Sequence, residues 1–352
     1  MRNLWLPASF QGKRRKRNYF EGWYFKHSGG IDKGVWSFIP GMALGDELGS
    51  GYSFVQVIEG KTGKSWWFQY RLEEFHAAES GLEIQVGNNR FSESGIEFDL
   101  SDGTSRISGA FSYGRFSIMK FPFWSPGVMG PFTFMPGMEC NHGLVSLDHR
   151  VVGRLEVDGR PVSIGDGRGY IEKDWGHSMP ESWIWTQSND FPARGDSLML
   201  SVARIPWLGS SFRGFLCVFS HGGEKHLFAT YNGSRIEALS VTDDKVDCVI
   251  ARGPSRREDT RREDTRRGRE SAGELLEISV SRSRIAKVRG GILRAPVAGL
   301  LSRRIAEAVD GRLSARYSRP GAAAYETESP LAGLEIAGDL LSMAPGKPKE
   351  RG

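Results

Sequence analysis

Residues 169–191 read GYIEKDWGHSMPESWIWTQSNDF, and they combine strand signals, tryptophans and acidic side chains in one segment. Two β-rich runs, Gly169–Ile171 and Trp183–Gln187, lie on either side of a turn that begins at Gly176. Short apolar runs that are bounded by Gly, Pro, Ser or Asn are typical of β-strands. The segment therefore favours a β protein.

Similar runs recur along most of the chain at a spacing of roughly ten residues. Turn dipeptides separate several of them, for example Asn88-Asn89 and Asp102-Gly103. The 352 residues include 45 Gly, 20 Phe and 10 Trp, a composition that suits short strands joined by tight turns. Strands do not alternate with helix-length segments, so the sequence predicts an all-β meander rather than a βαβ fold.

One segment, 297–309, shows the periodicity of a helix. Pro296 precedes it and Gly311 follows it, as expected at the start and just beyond the end of a helix. Its apolar side chains share one face: Val297, Leu300, Leu301, Ile305 and Val309. Its charged side chains lie towards the other face: Arg303, Arg304 and Glu307. We expect one C-terminal amphipathic helix, which either packs against the strands or lies on a membrane surface.

The net charge of +5 comes from two local runs of basic residues. Lys13–Arg17 contributes +5 and residues 251–270 contribute +3, so the remainder of the chain carries −3. A nucleic-acid-binding protein presents its basic residues over a folded face, so we expect no nucleic-acid partner. The first run belongs to a predicted basic tail at 1–18, which is either solvated or in contact with an anionic membrane surface.

Cysteine content and hydropathy indicate a cytoplasmic protein. Three Cys in 352 residues do not make a disulfide framework, and there is no CxxC pair to suggest a zinc site. The N-terminus has no apolar run long enough for a signal peptide, and no segment approaches the ~20 apolar residues of a membrane span. Association with a membrane surface stays compatible with this location.

Two segments interrupt the strand pattern. Residues 121–137, FPFWSPGVMGPFTFMPG, mix four Pro and three Gly with five aromatic residues, which predicts an irregular apolar loop. Such a loop either covers the mouth of a cavity or packs permanently into the core. The sequence RREDT at 256–260 repeats at 261–265, and we interpret 252–272 as a polar insertion.

Glu172 and Asp174 are the strongest candidates for catalytic acids. They are two residues apart, so on a strand both side chains face one side while Lys173 faces the other. Neighbouring carboxylates repel, so one of them tends to keep its proton, and a protonated carboxyl in an apolar cavity can act as a general acid. The alternative is a structural cluster of ion pairs.

Two further segments place acidic residues among apolar ones. Glu21 lies within the sequence YFEGWYFK, where burial would require a partner such as Lys26 or Lys173. Glu139 and His142 are three residues apart and could form an acid–base pair. Each of these two side chains, taken alone, is more often an ordinary hydrogen-bond partner.

The second run of the opening segment supplies a candidate ligand-binding surface. Trp183, Trp185, Gln187 and Asn189 alternate along it, so their side chains share one side of the predicted strand. Two aromatic rings followed by two amides suit a ring-bearing ligand with one hydrogen-bonding edge. The same pattern also suits a core strand with buried amides.

The motifs of common cofactor-dependent enzymes are absent from the sequence. There is no Walker A pattern, no GxSxG and no HExxH. Gly165, Gly167 and Gly169 precede a strand rather than a helix, so they do not predict a dinucleotide-binding loop. We expect no nucleotide, nicotinamide or zinc chemistry, and therefore no cofactor.

The chain resembles the tocopherol cyclase-like family in several segments that occur in the same order over most of its length. They are FEGWYF at 20–25, EK at 172–173 before WG at 175–176, WTQSNDF at 185–191, LRAP at 293–296 and GLEIAG at 333–338. The plant pattern has Asn where this chain has Asp174, and residues 139–142 also differ from the plant version. In both respects the chain is similar to the prokaryotic branch of the family.

The resemblance implies a calycin-like or lipocalin-like β-barrel architecture, with strands curled around a ligand cavity. On that basis we expect two barrel-like halves, at 19–160 and 161–345. In the plant enzymes the family implies a cofactor-free isomerisation, in which a phenol oxygen adds across the nearest alkene of a prenyl tail. Such chemistry needs a proton donor and an aromatic wall that stabilises a tertiary cation.

The resemblance also suggests roles for the candidate residues. Glu172, Asp174 or Glu21 would supply the proton. The expected substrate-binding residues are Trp23, Trp175, Trp183, Trp185, Gln187, Asn189, Glu139 and His142. One alternative function is a non-catalytic, lipocalin-like carrier of a hydrophobic isoprenoid or lipid. Another is a peripheral membrane protein that docks through 121–137 and its basic runs.

Overall fold

A computed structural model describes residues 4–30, 32–135, 137–207, 209–253, 273–282 and 291–339. The RREDT repeat and most of the predicted insertion at 252–272 lie outside these residues. Within them the only helices are two short 3₁₀ turns, Leu72–Glu74 and Gly130–Phe134. No helix in this part of the chain is long and apolar enough to cross a membrane.

The strands form two antiparallel sheets, which confirms the all-β prediction. The first sheet contains twelve strands: β1 (Tyr19–Ser28), β2 (Val35–Leu44), β3 (Gly51–Glu59), β4 (Ser65–Tyr70), β5 (Phe75–Ala77), β6 (Glu83–Val86), β7 (Asn89–Ser92), β8 (Gly95–Ser101), β9 (Arg106–Tyr113), β10 (Cys140–Val157), β11 (Arg160–Val162) and β12 (Asp166–Gly176). The second contains ten strands within the described residues: β13 (Trp183–Ser188), β14 (Ser197–Trp207), β15 (Ser210–His221), β16 (Glu224–Ala229), β17 (Ser234–Val241), β18 (Lys245–Arg252), β19 (Glu274–Ser281), β20 (Gly291–Val297), β21 (Leu300–Ser318) and β22 (Tyr325–Ala337).

In each sheet the two edge strands are consecutive in the chain, so each sheet curls to bring its two edges towards each other. The first sheet runs from β4 through β1, β12 and β10 to β5, so its two edge strands follow one another in the chain. The edge strands of the second sheet, β16 and β17, are also consecutive. Among the described residues no hydrogen-bond ladder joins either pair of edge strands. The predicted barrel-like halves are therefore curled sheets whose edge strands do not pair within the described residues, so neither sheet closes into a barrel there.

Alternation along β1 shows how the sheets bury both of their faces. Trp23 and Phe25 belong to the core inside the first sheet, whereas Phe20 and Tyr24 pack towards the second sheet. The second sheet has an interior core of its own, which includes Phe219. Because neighbouring side chains on a strand face opposite sides, each central strand contributes to two apolar layers. The three largest cores of the described residues thus lie inside the first sheet, inside the second sheet and between the two.

The boundary between the sheets differs from the predicted one at 160/161. Strand β12 pairs with both β1 and β10 in the middle of the first sheet. The chain leaves the first sheet only after Gly176 and enters the second at Trp183. Sequence periodicity could not reveal this, because the pairing of β12 with β1 joins segments that are far apart in the chain. The division of the chain into domains stays a prediction.

The helix predicted at 297–309 is wrong. The segment belongs to an antiparallel hairpin of β20 and β21 that turns at Ala298 and Gly299. Both turn residues have positive φ angles, 49° and 91°, which suit a tight hairpin and not a helix. Leu301 and Ile305 are buried four residues apart, a spacing that keeps two side chains on one face of a strand as well as of a helix.

The predicted N-terminal tail is packed against the first sheet over part of its length. Trp23 Nε1 donates a hydrogen bond to the backbone oxygen of Ala8 at 2.8 Å. The next backbone oxygen, that of Ser9, accepts a hydrogen bond from Lys173 Nζ. The side chains of the basic run Lys13–Arg17 are all exposed. The segment is therefore anchored, and its basic residues lie on the surface of the folded protein.

Candidate functional site between the two sheets

A cavity lies between the two sheets and contains about 1240 Å³ of empty space, its open mouth included. Both sheets contribute aromatic and aliphatic wall residues, among them Phe20, Tyr24, Phe54, Trp183, Trp185 and Leu293. A concave apolar site with a few polar groups is typical of small-molecule binding. A lipocalin-like barrel would place its cavity inside the curl, but here core side chains fill the inside of each sheet.

Three polar side chains meet at one wall of this cavity: His142 from β10, and Glu172 and Asp174 from β12. His142 Nδ1 lies 2.9 Å from Asp174 Oδ1, and His142 Nε2 lies 3.4 Å from Glu172 Oε2. The two carboxyl groups share one face of β12 and Lys173 lies on the other, as the alternation predicted. The imidazole therefore bridges the two acids.

Glu172 is buried and receives hydrogen bonds from both sheets. Tyr170 Oη donates to Glu172 Oε2 at 2.5 Å, and Trp185 Nε1 donates to the same oxygen at 3.2 Å. Burial raises the pKa of Glu172 to about 7, although the charge of His142 and the two hydrogen bonds act in the opposite direction. Near neutral pH the carboxyl group is thus divided between its two forms, which suits a general acid or base.

His142 carries the positive charge of this cluster. Burial lowers its pKa, but the carboxylates of Asp174 and Glu172 outweigh burial and bring the pKa of His142 to about 9. The ring is therefore cationic at neutral pH. Because a proton on His142 affects the proton on Glu172, the cluster titrates as one unit rather than as independent groups.

Two further buried acids, Glu307 and Glu335, face this region from the second sheet, and sequence reasoning missed both. They lie directly opposite each other on β21 and β22. Tyr24 Oη donates to Glu307 Oε1 at 2.7 Å, and Trp183 Nε1 donates to Glu335 Oε2 at 2.8 Å. Burial raises the pKa of Glu307 to about 7. Burial and the nearby charge of Glu307 raise the pKa of Glu335, which lines the cavity, well above its usual range.

Of the four alternating residues, Trp183, Trp185 and Gln187 lie on β13 and Asn189 lies just beyond its end, and only the two tryptophans line the cavity. Trp185 packs edge-on against Tyr24, with ring centroids 5.5 Å apart. Gln187 Oε1 accepts a hydrogen bond from Lys26 Nζ at 3.0 Å. Asn189 Nδ2 donates to a backbone oxygen of the first sheet at 2.9 Å. The two amides therefore join the sheets beyond the cavity and do not line it.

Glu21, Trp23 and Trp175 lie on the opposite side of their strands from the cavity, so they form no part of its wall. Glu21 and Lys173 make a fully buried ion pair, with 2.5 Å between Oε1 and Nζ. The Glu21 carboxylate also accepts hydrogen bonds from Tyr19 Oη at 2.6 Å and from the backbone N–H of Gln11 at 2.9 Å. The aromatic density around Glu21 in the sequence therefore marks a core rather than a ligand site.

Glu139 also lies outside the cavity wall. It directly precedes β10, and its backbone oxygen accepts hydrogen bonds from the backbone of His177 at 2.8 Å and of Ser178 at 3.2 Å. His142, its predicted partner, contacts Asp174 instead, which is the residue directly opposite on β12. A cross-strand contact thus replaces the predicted local pair.

The irregular segment 121–137 forms part of the cavity wall, and it combines both predicted alternatives. Met129 and Phe132 line the cavity, and Val128 is completely buried. The beginning of the segment differs, because Phe123 is 78% exposed. The same loop therefore covers the ligand space on one side and faces solvent on the other.

His142, Glu172 and Asp174 also offer the one group of potential metal ligands in the described part of the chain, with ligand atoms within 4.8 Å of one another. The two carboxylates contact different nitrogens of the imidazole ring. A metal ion bound within the cluster could use only one of these nitrogens. The arrangement therefore fits an imidazolium between two carboxylates better than a metal centre.

Comparison with known proteins supports the family resemblance. A family model described as tocopherol cyclase-like matches residues 129–227, which include His142, Glu172, Asp174 and the first strands of the second sheet. No curated protein matches the chain.

Solved structures with similar architecture share little sequence with this chain. The crystal structure of CghA with Sch210972 is 9% identical, with a TM-score of 0.53, over 91% of this chain and 88% of CghA. An AttH-type protein from Nitrosomonas europaea is 11% identical, with a TM-score of 0.48, over 91% and 92% of the two chains. Kievitone hydratase from Nectria haematococca is 10% identical, with a TM-score of 0.45, over 90% and 89%. At these identities the likeness to CghA concerns the fold alone.

Proposed function

Because the chain is tocopherol cyclase-like over residues 129–227, we propose that it catalyses the acid-driven, cofactor-free cyclisation of a prenylated quinol or a related isoprenoid alkene. The substrate would occupy the cavity between the two sheets. The observation that carries the proposal is a buried carboxyl group, Glu172, in a wall made largely of aromatic and aliphatic side chains and with a pKa of about 7.

The proposed reaction moves protons without consuming any other reactant. The Glu172 carboxyl donates a proton to the alkene carbon whose protonation leaves a tertiary cation. The phenol oxygen then attacks this cation, a C–O bond forms, and the phenol proton passes to the carboxylate and restores the acid. The product is an isomer of the substrate, so atoms and electrons balance.

The surroundings of Glu172 suit each part of this step. The ring faces of Trp183, Trp185 and Tyr24 can stabilise a developing cation where water is excluded. The cationic His142 next to Glu172 stabilises the carboxylate that remains after proton donation. An apolar carrier has no need for such a cluster, because burying ionisable groups costs free energy.

The test is conversion of prenylated hydroquinones, with tails of increasing length, to chromanols, measured by chromatography with mass detection. Glu172→Gln keeps the shape of the side chain but cannot donate a carboxyl proton. We expect it to bind the quinol and to lose activity by about 10²- to 10⁴-fold, the usual contribution of general acid catalysis. Glu156→Gln, on the exposed far end of β10, is the matched control and should retain full activity. Unchanged turnover in Glu172→Gln would rule out this residue as the acid.

A second candidate function is a non-catalytic carrier of a hydrophobic isoprenoid or lipid. The apolar cavity walls favour it, because they would hold a prenyl tail whether or not a reaction follows. Native mass spectrometry of the purified protein should then show a retained lipid. Quinol binding without turnover in the wild-type protein would select the carrier, and failure to bind any prenylated ligand would exclude both functions.

A further inference from the structure

An exposed aromatic patch lies at the outer surface of the segment that covers the cavity. We call Trp5, Leu6, Phe123, Trp124 and Phe134 the aromatic patch; Phe123 and Trp124 are its most exposed members, at 78% and 77%. Trp5 stacks on Phe123 with ring centroids 5.3 Å apart and also lies 6.4 Å from Phe134. Trp5 Nε1 donates to the backbone oxygen of Phe123 at 2.8 Å. The N-terminal segment and the loop therefore present these side chains as one surface.

A run of basic side chains adjoins this patch through Arg15. Arg14–Arg17 are exposed, and Arg15 lines the same surface cleft as Phe134. Lys13 contacts Glu79, but within the described residues no carboxylate forms an ion pair with Arg14–Arg17. The local charge is thus positive beside a group of aromatic rings. A peripheral protein is held on an anionic bilayer by two features: aromatic side chains that enter the lipid and a polybasic run that contacts the headgroups.

The aromatic patch is also connected to the cavity. Met129 and Phe132 line the cavity from the segment that begins with the exposed Phe123 and Trp124. Met138, just after this segment, lines both the cavity and the cleft that contains Arg15. A partner that covers the patch would therefore lie next to the wall of the ligand space.

We propose that the aromatic patch and Arg14–Arg17 dock the protein on the surface of an anionic lipid bilayer. The rings enter the headgroup region, and the basic side chains contact lipid phosphates. A bilayer satisfies both features at once, since it offers an apolar boundary next to dense negative charge. The proposal concerns a surface outside the cavity, so it does not depend on the proposed cyclisation.

The test is co-sedimentation of the full-length protein with vesicles of phosphatidylcholine alone or with 30% phosphatidylglycerol, at low and high salt. We expect binding that requires phosphatidylglycerol and weakens with salt. Phe123→Ser with Trp124→Ser should lower the partition coefficient at least about tenfold, because it removes the rings that enter the headgroup region. Val152→Ser, an exposed apolar residue on the far end of β10, is the matched control.

The charge contribution is tested with a second matched pair of variants. Arg14→Gln with Arg15→Gln should weaken binding by roughly 25-fold, about fivefold for each basic side chain. Arg154→Gln with Arg160→Gln removes the same charge from another exposed surface and should leave binding unchanged. Absence of binding to anionic vesicles at low salt would overturn the proposal. Equal losses of vesicle binding in the two double-arginine variants would also overturn it. So would a dimer, seen by sedimentation velocity, that the Phe123 and Trp124 substitutions dissociate.

Discussion

The buried ion pair between Glu21 and Lys173 makes a specific prediction, because the sequence alone also allowed Glu21 to be a catalytic acid. In the structure neither side chain has measurable exposure, and the Lys173 ammonium lies 4.6 Å and 4.9 Å from the ring centres of Trp23 and Trp175. Glu21→Gln removes the negative charge but keeps an oxygen that can accept the hydrogen bond from Tyr19. Lys173 is then left as a buried, unpaired cation.

The expected loss of stability at pH 7 is about 3–5 kcal/mol, the usual cost of breaking a buried ion pair on one side. Deprotonation of Lys173 sets a similar upper limit. Neutralising it in the folded state costs about 1.4 kcal/mol for each unit between its unfolded pKa near 10.4 and the solution pH, or about 5 kcal/mol at pH 7. This loss would remove a large part of the free energy of unfolding of an ordinary domain.

Burial lowers the pKa of Lys173, and the charge of Glu21 opposes that effect. Without Glu21 the pKa falls further, so the destabilisation is largest at low pH and declines as the pH rises towards the unfolded pKa of lysine. We therefore expect the deficit of Glu21→Gln to be smaller at pH 9.5 than at pH 7. Combining it with Lys173→Met, an apolar side chain between the two tryptophans, should restore most of the lost stability.

The assay is urea unfolding followed by tryptophan fluorescence, at pH 7 and at pH 9.5, with Glu156→Gln as an exposed control. A loss below about 1 kcal/mol in Glu21→Gln would refute the assignment, since that is the range of an exposed pair. An unchanged unfolding midpoint together with abolished turnover would show instead that Glu21 acts in catalysis.

Three further outcomes are expected from urea unfolding. The pKa of His142 is about 9 in the folded protein, so its contribution to the free energy of unfolding, about 3 kcal/mol, is present below pH 6.5 and is lost as the pH rises to 9. His142→Asn should therefore make the free energy of unfolding depend less on pH between pH 6.5 and pH 9. Because the pKa of Glu335 is raised well above its usual range, the folded protein favours the protonated carboxyl and loses stability as the pH rises above the unfolded pKa of glutamate; Glu335→Gln should therefore stabilise the protein at neutral pH and have little effect near pH 4. Gly299→Ala would stabilise a helix by about 1 kcal/mol, but in the hairpin it should destabilise the protein by about 1–3 kcal/mol. The loss should exceed that of the control Gly321→Ala, because the added Cβ would lie 2.1 Å from a backbone oxygen at Gly299 and near no atom at Gly321.

Local patterns in the sequence predicted which side chains share a face of a strand, because this depends only on neighbouring residues. Alternation placed Glu172 and Asp174 on one face of a strand and Lys173 on the other, and the structure agrees. It also placed Trp183 and Trp185 together on a face that lines the cavity. A period of two residues is a property of the strand itself, so no knowledge of the fold is needed to read it.

Alternation does not say which face of a strand meets the cavity and which meets the core. Trp23 and Tyr24 are adjacent aromatic residues, yet the first lies inside the first sheet and only the second lines the cavity. The choice follows from the pairing of β1 with β12, which joins distant parts of the chain. For the same reason the contact of His142 with Asp174 could not be found from local spacing.

The mistaken helix also concealed a residue of the candidate site. Leu301, Ile305 and Val309 are spaced by four residues, which fits both a helix and a strand, and the helix interpretation places Glu307 towards the opposite, charged face. On a strand Glu307 falls on the same face as these three, and it is buried there. The signal that could have corrected the interpretation is Gly299, which lies near the start of the segment 297–309 and suits a hairpin turn there.

The cavity lies between two sheets, and each sheet has its own interior core. The residues that determine ligand preference are therefore largely separate from those that stabilise the fold. A substitution at Phe20 reshapes the ligand space, whereas Trp23 and Phe25 on the same strand support the core inside the first sheet. The same division applies to Trp183 and Ile184 on β13. One scaffold can thus be directed towards new ligands by varying alternate residues of a few strands, and proteins of this architecture can diverge in chemistry while the cores that fold them stay intact.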